Sequence, residues 1–257
     1  MDSHVLVERR DKVLSVTMAR SERRNAITVA MYAAMADAIE SAADNAAIRL
    51  ITIEGQGEDF TAGNDLGDFL QAMPDPGSGQ DLPVWRLLRA LAKNQVPIIA
   101  AVHGNAVGIG TTMLFHCDLV LAEEGSRFVM PFVDLGLVPE AASSLLFPRL
   151  AGRRRAARSL LLGEPFGPTE ALEMGLASHT VPKGHLKAAL EGVVAQLLAK
   201  PPEALRQTQK LLRREDTDEI LQRMELENGH FGERLQSDEV KQAITAFFAA
   251  RMKSPAA

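Results

Sequence analysis

The sequence predicts an α/β fold that ends in an all-helical C-terminal segment, on three observations. Up to about residue 195, apolar runs of strand length alternate with stretches of helical period, the rhythm of an α/β core. Behind that core, amphipathic helix candidates at 186–198, 202–214, 218–231 and 237–252 follow one another with no strand between them. With 257 residues, 46% hydrophobic and 24% charged, the chain has material for one large core and no global bias toward disorder.

Each element has its own signal. Val5-Leu6-Val7 and residues 13–18 flank the polar Arg10-Asp11-Lys12, as the strands of a hairpin do. Thr28 opens a helix in which Ile27, Met31, Met35, Ala38, Ile39 and Ala42 recur three or four apart. Residues 48–53 read as a strand ended by Gly55, and 60–66 as a turn into a short helix. Pro74-Asp75-Pro76-Gly77-Ser78-Gly79 suits neither a helix nor a central strand and reads as an excursion. A helix through Trp85, Leu88 and Leu91 follows, then a buried strand at 97–102 and a glycine-rich turn at 104–110 into another helix. Residues 117–122 and 128–130 are strand-like, and 141–150 helical. We therefore divide the chain into a core, 1–195, and a helical segment, 196–257. The latter reads as an oligomerisation or lid element, with a helical cap on the same core as the alternative.

Composition excludes several classes. A net charge of -5 and a pI near 5.7 argue against a nucleic-acid binder, though not against a local basic pocket for a phosphorylated ligand. Cys117 is the sole cysteine, so no intramolecular disulfide or cysteine metal cluster is expected. His103 and His116 have no metal-ligand partner at suitable spacing, and no metal site is expected. Apolar runs are too short to cross a membrane. The first ten residues lack a signal peptide's apolar core, and Ser254-Pro255-Ala256-Ala257 is no peroxisomal tripeptide, so the cytoplasm is the expected compartment.

Two segments share a physical logic. At Gly63-Asn64-Asp65 and at Gly108-Ile109-Gly110, a strand ends in glycine and runs into a helix, leaving backbone N–H groups free at the positive end of the helix dipole. Two such donors converging make an oxyanion hole, which stabilises charge developing on a carbonyl oxygen. Taken singly, each motif is also what an ordinary tight turn looks like. The dinucleotide fingerprint is incomplete, since Thr111-Thr112-Met113 follows Gly110. Neither a P-loop nor a serine flanked by glycines in the hydrolase pattern is present.

Taken together the motifs resemble a known family. Phe60-Thr61-Ala62-Gly63-Asn64-Asp65-Leu66, then residues 101–110, then Pro131-Phe132-Val133-Asp134-Leu135-Gly136-Leu137-Val138-Pro139 are similar to the three motifs of the crotonase (enoyl-CoA hydratase/isomerase) superfamily. Asn25-Ala26 and Pro202-Glu203-Ala204-Leu205 extend the resemblance over nearly the whole chain. It implies a spiral of repeated β-β-α units and a homotrimer or dimer of trimers. It also implies an acyl-CoA thioester as substrate, with no separate cofactor, and the main-chain N–H groups of Asn64 and Ile109 as the oxyanion donors. The CoA contacts it implies fall on Arg23, Arg24, Ala26, Ala62, Gly63, Asp65, Leu66, Gly108 and Gly110. For Arg23 and Arg24, a solvated charged turn is the equal alternative.

Departures from the hydratase pattern bear on the reaction. The two columns that hold water-activating glutamates in hydratases hold Thr112 and Phe132 here, and neither can act as a general base. A carboxylate stands instead at Glu140. The run Pro139-Glu140-Ala141-Ala142-Ser143-Ser144, with Phe147-Pro148, resembles the peroxisomal-type Δ3,Δ2-enoyl-CoA isomerases. Such an isomerase needs one group to take a proton from C2 and return it to C4. A glutamate ringed by Phe132, Val138 and Leu145 is expected to have a raised pKa suited to that task. The alternative for Glu140 is a helix N-terminal glutamate that serves only the dipole. Another crotonase-type reaction, hydration included, and a non-catalytic acyl-CoA-binding protein are the competing functions.

Lesser candidates follow. Trp85, Phe69, Met73 and Leu88 either wall the acyl tunnel or belong to the helix core. Asp65 and Asp118 read as residues that cap elements, and Arg153-Arg154-Arg155 and Arg213-Arg214 as exposed helix faces.

Overall fold

Continuous apolar runs in the central strands make the main sheet apolar on both faces. The structure, a computed structural model, describes residues 4–43, 45–71, 82–213 and 217–253. Strands β1 (Val5–Arg10), β2 (Val13–Met18), β3 (Leu50–Gly55), β4 (Ile98–Val102), β6 (Leu119–Glu123) and β8 (His179–Val181) form one sheet in that order. The β1–β2 hairpin is antiparallel and all other pairs are parallel. On β4, Ile98, Ala100 and Val102 face the larger core beside α1 (Val29–Ala43) and α3 (Pro83–Lys93). Ile99 and Ala101 face a smaller cluster with Leu50, Leu121 and Leu190, the last on α8 (Leu186–Leu198). The period of two in a strand sends successive side chains to opposite faces, and both faces are covered.

A second layer follows from the glycine-rich turns. Residues 104–110, expected as a turn, instead contain a short strand, β5 (Asn105–Val107), paired in parallel with β7 (Arg127–Val129). Single bridges extend this layer: Ile27 to Asn64, Thr61 to Ala106, and Phe128 to Phe166. Each repeat thus runs from a strand in the large sheet through an extended stretch in the small layer into a helix. Examples are β4–β5–α4 (Ile109–Thr112) and β6–β7–α5 (Ser143–Ala151). This is the β-β-α repeat that the family resemblance implies.

Local signals explain the helix ends. Thr28 Oγ1 accepts the Met31 N–H (3.2 Å), as an N-cap does, and Asp68 Oδ2 accepts the Val29 N–H (2.6 Å). Asp68 belongs to α2 (Leu66–Gln71), whose own N-terminus is capped by Asp65 through the Asp68 N–H (3.2 Å). The excursion at 74–79 and Met73 lie outside the described residues. Helix α5 starts at Ser143, two residues later than expected, because Ala141 and Ala142 take left-handed φ of 61° and 56°.

The tail folds back on its own core. Helices α9 (Pro202–Arg213), α10 (Thr217–Leu235) and α11 (Asp238–Lys253) follow α8, and α10 packs on α3 and α5. The ring of Phe231 on α10 meets Trp85 edge-on, with centroids 5.7 Å apart. Arg213 corrects an expectation. Its guanidinium is not on an exposed face but donates to the carbonyls of Leu91 (2.9 Å), Asn94 (3.2 Å) and His116 (2.5 Å) and pairs with Asp118 (3.2 Å). The C-terminal carbonyls of α3 have no intrahelical donors, and arginine's fork of N–H groups serves several acceptors at once. Arg153, Arg154 and Arg155 are exposed, as expected, and Arg214 lies outside the described residues. Among the described residues no helix is long and apolar enough to cross a membrane.

Candidate active site

A cavity of about 1030 Å³ opens where the small layer meets the tail. Of the residues expected to contact substrate, Arg23, Arg24, Ala26, Ala62, Gly63, Asn64, Asp65, Leu66, Gly108 and Ile109 line it. Gly110 does not; it is buried against Thr61, where an added Cβ would lie 2.4 Å from a methyl carbon. Gly63 plays a related part on the other loop, since a Cβ there would meet the Val107 carbonyl oxygen at 2.7 Å. The glycines therefore do more than permit turns. They let two loops, 61–65 and 107–110, lie against each other.

The loops present the expected donors. Gly63 N–H is taken by Thr61 Oγ1 (3.1 Å), Asp65 N–H by the Ile27 carbonyl (2.9 Å) and Gly108 N–H by the Val129 carbonyl (2.8 Å). Among the described residues, the N–H groups of Asn64 and Ile109 have no such partner. Both residues line the cavity. Two free main-chain donors on abutting loops are what an oxyanion hole requires.

Polar side chains hold this geometry, and most were missed by the sequence reading. Asn25 is fully buried; its Nδ2 donates to the carbonyls of Gln56 (2.8 Å) and Asp59 (2.8 Å), and its Oδ1 accepts the Arg20 N–H (2.8 Å). Arg20 also joins the two strands of chain around the cavity, donating to the Ala26 carbonyl (2.9 Å) and to Asp65 (2.8 Å). Asp65 is thus both a helix cap and an ion-pair partner. Burial works against its charge, but Arg20, the Asp68 N–H and Arg23 together hold its carboxyl below the usual range. Arg23 and Arg24 are exposed at the cavity, with Arg24 Nε 3.8 Å from Asp59.

Tyr32, the chain's only tyrosine, donates from its buried hydroxyl to Asn64 Oδ1. It also lies close enough to Glu140 for that carboxyl's charge to help raise the phenol's pKa, after burial. Tyr32 therefore connects the Asn64 loop to Glu140 in space. Its signal was its place on the apolar stripe of α1, one residue after Met31.

Glu140 is 1% exposed and does not line the cavity surface. Burial, then the nearby Glu227 carboxylate, pushes its pKa up to about 8. Thr112 lies close by and opposes the rise, without closing a hydrogen bond: Glu140 Oε1 and Thr112 Oγ1 are both buried and unpartnered among the described residues. The expected surroundings were apolar; Phe132 is indeed buried, but Tyr32, Thr112 and Glu227 make the pocket partly polar. The dipole reading of Glu140 is also corrected. The carboxylate at the N-terminus of α5 is Glu227, which accepts the N–H groups of Ala142 (2.6 Å) and Ser144 (2.9 Å). A signal for Glu227 existed, since it falls on the apolar face of α10 with buried Met224, Phe231 and Leu235.

Other candidates take structural places. His116 is buried, its Nε2 2.9 Å from the Ala141 carbonyl, and burial pulls its pKa down to about 4, so it is a neutral donor there. His103 Nε2 meets the Gly57 carbonyl (2.9 Å). Trp85 and Leu88 belong to the core, not the cavity wall; Phe132, Leu135, Leu137 and Phe231 form its apolar part, with Ala243 and Ala246 of α11. Asp118 ties the starts of two strands, accepting the Ile98 N–H (2.8 Å).

Known proteins are similar to this chain over most of its length. The family model for enoyl-CoA hydratase/isomerase matches residues 8–254. The 1,2-epoxyphenylacetyl-CoA isomerase of Escherichia coli is 30% identical over 243 residues, 93% of each chain. The 2,3-dehydroadipyl-CoA hydratase of the same organism is 32% identical over 213 residues, 82% of each chain. A crystal structure of an enoyl-CoA hydratase/isomerase from Pseudoalteromonas atlantica superposes with a TM-score of 0.91 at 37% identity, covering 96% of this chain and 98% of that one. With two free main-chain donors on abutting loops, a repeated β-β-α core and a match over nearly its whole length, the chain belongs to the enoyl-CoA hydratase/isomerase family.

Proposed function

We propose that this enzyme is an acyl-CoA double-bond isomerase that converts a 3-enoyl-CoA to the trans-2-enoyl-CoA, with Glu140 as the proton shuttle. The observation that carries the reading is the buried carboxyl of Glu140, whose Oε1 has no hydrogen-bond partner among the described residues and whose pKa is raised to about 8. In this reading the thioester oxygen sits between the N–H groups of Asn64 and Ile109. Glu140 takes a proton from C2, the electron pair moves toward the thioester oxygen as a dienolate, and the same carboxyl returns the proton to C4. Oxyanion donors stabilise the charge at the moment it develops. A carboxyl that titrates near the working pH can both accept and release the proton. Because Glu140 does not line the cavity, the reading requires a wall side chain to shift as the acyl group enters. Arg23 and Arg24 are placed to meet CoA phosphates, and a homotrimer or dimer of trimers is the assembly that goes with this family.

Thr112 and Phe132 support isomerisation over hydration, since neither can activate water. The test compares Glu140→Gln with the wild type on a 3-enoyl-CoA and on crotonyl-CoA. Isomerase turnover in the variant is expected to fall about a hundredfold to ten-thousandfold, the scale of a general acid–base group, with acyl-CoA affinity little changed. Wild-type hydration of crotonyl-CoA is expected to be orders of magnitude slower than isomerisation. Near-normal turnover in a well-folded Glu140→Gln would remove the assignment, and a hydratase rate equal to the isomerase rate would favour the hydratase reading.

A further inference from the structure

We infer that Glu227, on α10, is a positioning residue for Glu140: its carboxylate clamps the 140–144 turn and sets the electrostatic surroundings in which the Glu140 proton is exchanged. The inference rests on the isomerase reading of Glu140 above. It begins from the turn itself. Ala141 and Ala142 both hold left-handed φ, a conformation that residues with a Cβ adopt only when neighbours enforce it. Helix α5 has Ala142 at its N-cap, where no side chain can accept a hydrogen bond.

Glu227 supplies that acceptor from another element. Its Oε2 takes the Ala142 N–H at 2.6 Å and its Oε1 takes the Ser144 N–H at 2.9 Å. Arg223, one turn earlier on α10, reaches Ser144 Oγ at 3.2 Å. From the other side, His116 holds the Ala141 carbonyl, and the Glu140 carbonyl accepts both the N–H (3.0 Å) and the hydroxyl (2.6 Å) of Ser143. The backbone around Glu140 is thus pinned at successive residues, and the pin on the α5 side is a charged group. Helices carry buried charge only where it is paired, and here the partners are two backbone donors and the neighbouring Arg223.

The same carboxylate faces Glu140 electrostatically. The titratable groups around Glu140 are Glu227 from α10, Tyr32 from α1 and the neutral His116 from the 113–116 turn; the charged group that faces Glu227 is Arg223. Burial raises the pKa of Glu227 itself, opposed by Ser144, the Ala142 N–H and Arg223; in its charged form Glu227 disfavours ionisation of Glu140. A cap that served folding alone could sit on any element, whereas this one joins the shuttle to the helix whose Phe231 walls the cavity.

The test is Glu227→Gln, read on kcat/KM for isomerisation against pH. In the wild type the rate rises as Glu140 loses its proton. Removing the neighbouring charge is expected to move that limb to lower pH by about half a unit or more. Turnover at the plateau is expected to fall about tenfold, with KM little changed, because one of the two backbone donors loses its acceptor. A loss of thermal stability with the limb and the turnover both unchanged would show a purely structural cap and overturn the inference. Glu227→Asp provides a second arm if the glutamine variant does not fold. It keeps the charge but is too short for both N–H groups, so the limb should stay in place while turnover falls; wild-type turnover there also overturns the inference. Failure of the underlying reading is separate, because it shows as full activity in Glu140→Gln.

Discussion

The hydroxyl of Tyr32 donates a hydrogen bond to the side-chain oxygen of Asn64, so the residue whose free backbone N–H lies on the cavity loop is anchored through its side chain to α1. The Asn64 side chain therefore matters indirectly. We expect Tyr32→Phe to leave Asn64 Oδ1 without its donor and to lower turnover several-fold, with most of the acyl-CoA affinity retained. Asn64→Ala keeps the main-chain N–H but strands the buried Tyr32 hydroxyl, at a cost of about 1–3 kcal/mol. Its thermal midpoint should drop more than that of Tyr32→Phe, while substantial activity remains; loss of all activity in a folded Asn64→Ala would mean that the side chain acts directly. Melting curves beside isomerase assays on the two variants provide the check.

Glu140 should make the fold weaker as pH rises. Its folded pKa of about 8 exceeds the ordinary carboxyl value of 4.5, so between these values the native state holds a proton that the unfolded chain has released. Stability falls with pH wherever the native state binds more protons, so this penalty is absent below about pH 4.5 and complete above about pH 8. Glu140→Gln removes the titration and should raise the thermal midpoint by several degrees at pH 8 to 9, with little change near pH 4.5. Parallel melts at the two pH values test the sign.

Gly63 and Gly108 both have positive φ but differ in their surroundings. An added methyl at Gly63 meets the Val107 carbonyl, whereas none is crowded at Gly108 within 4 Å. Gly63→Ala should cost more stability than Gly108→Ala, which suffers only backbone strain of about 1–3 kcal/mol. It should also weaken acyl-CoA binding, because the loops that carry Asn64 and Ile109 are forced apart. Denaturant titrations and ligand-binding isotherms on both variants compare the effects.

Leu211 and Leu212 on α9 are 70% and 74% exposed, and Leu161 and Leu162 at the C-terminal end of α6 (Arg153–Leu161) are 66% and 64% exposed. Such apolar surface is what an assembly covers. Sedimentation at micromolar concentration is expected to give a trimer or hexamer, and Leu212→Glu to shift it toward the monomer. A wild-type monomer would remove the expectation.

The sequence by itself determined the strand–helix rhythm and the places where chemistry could occur; the β-β-α repeat came from the family resemblance. Near-continuous apolar runs in residues 97–102 and 117–122 marked strands of a buried core, because a strand covered on both faces needs apolar side chains at successive positions. Gly63 and Gly108 marked the two strand–helix junctions, and Glu140 stood out where the water-handling columns were empty. Only the tertiary structure decided how these parts meet. Nothing local in Gly63 or Gly110 says that its missing side chain makes room for the other loop. Nothing local in Tyr32, Arg20, Arg213 or Glu227 names a partner that is tens of residues away or more. Helix period tells which face is buried, but a polar group on that face takes its meaning from the donor or acceptor it finds there. The left-handed turn at Ala141 and Ala142 is the clearest case: two alanines that favour a helix are held out of it by His116 on one side and Glu227 on the other.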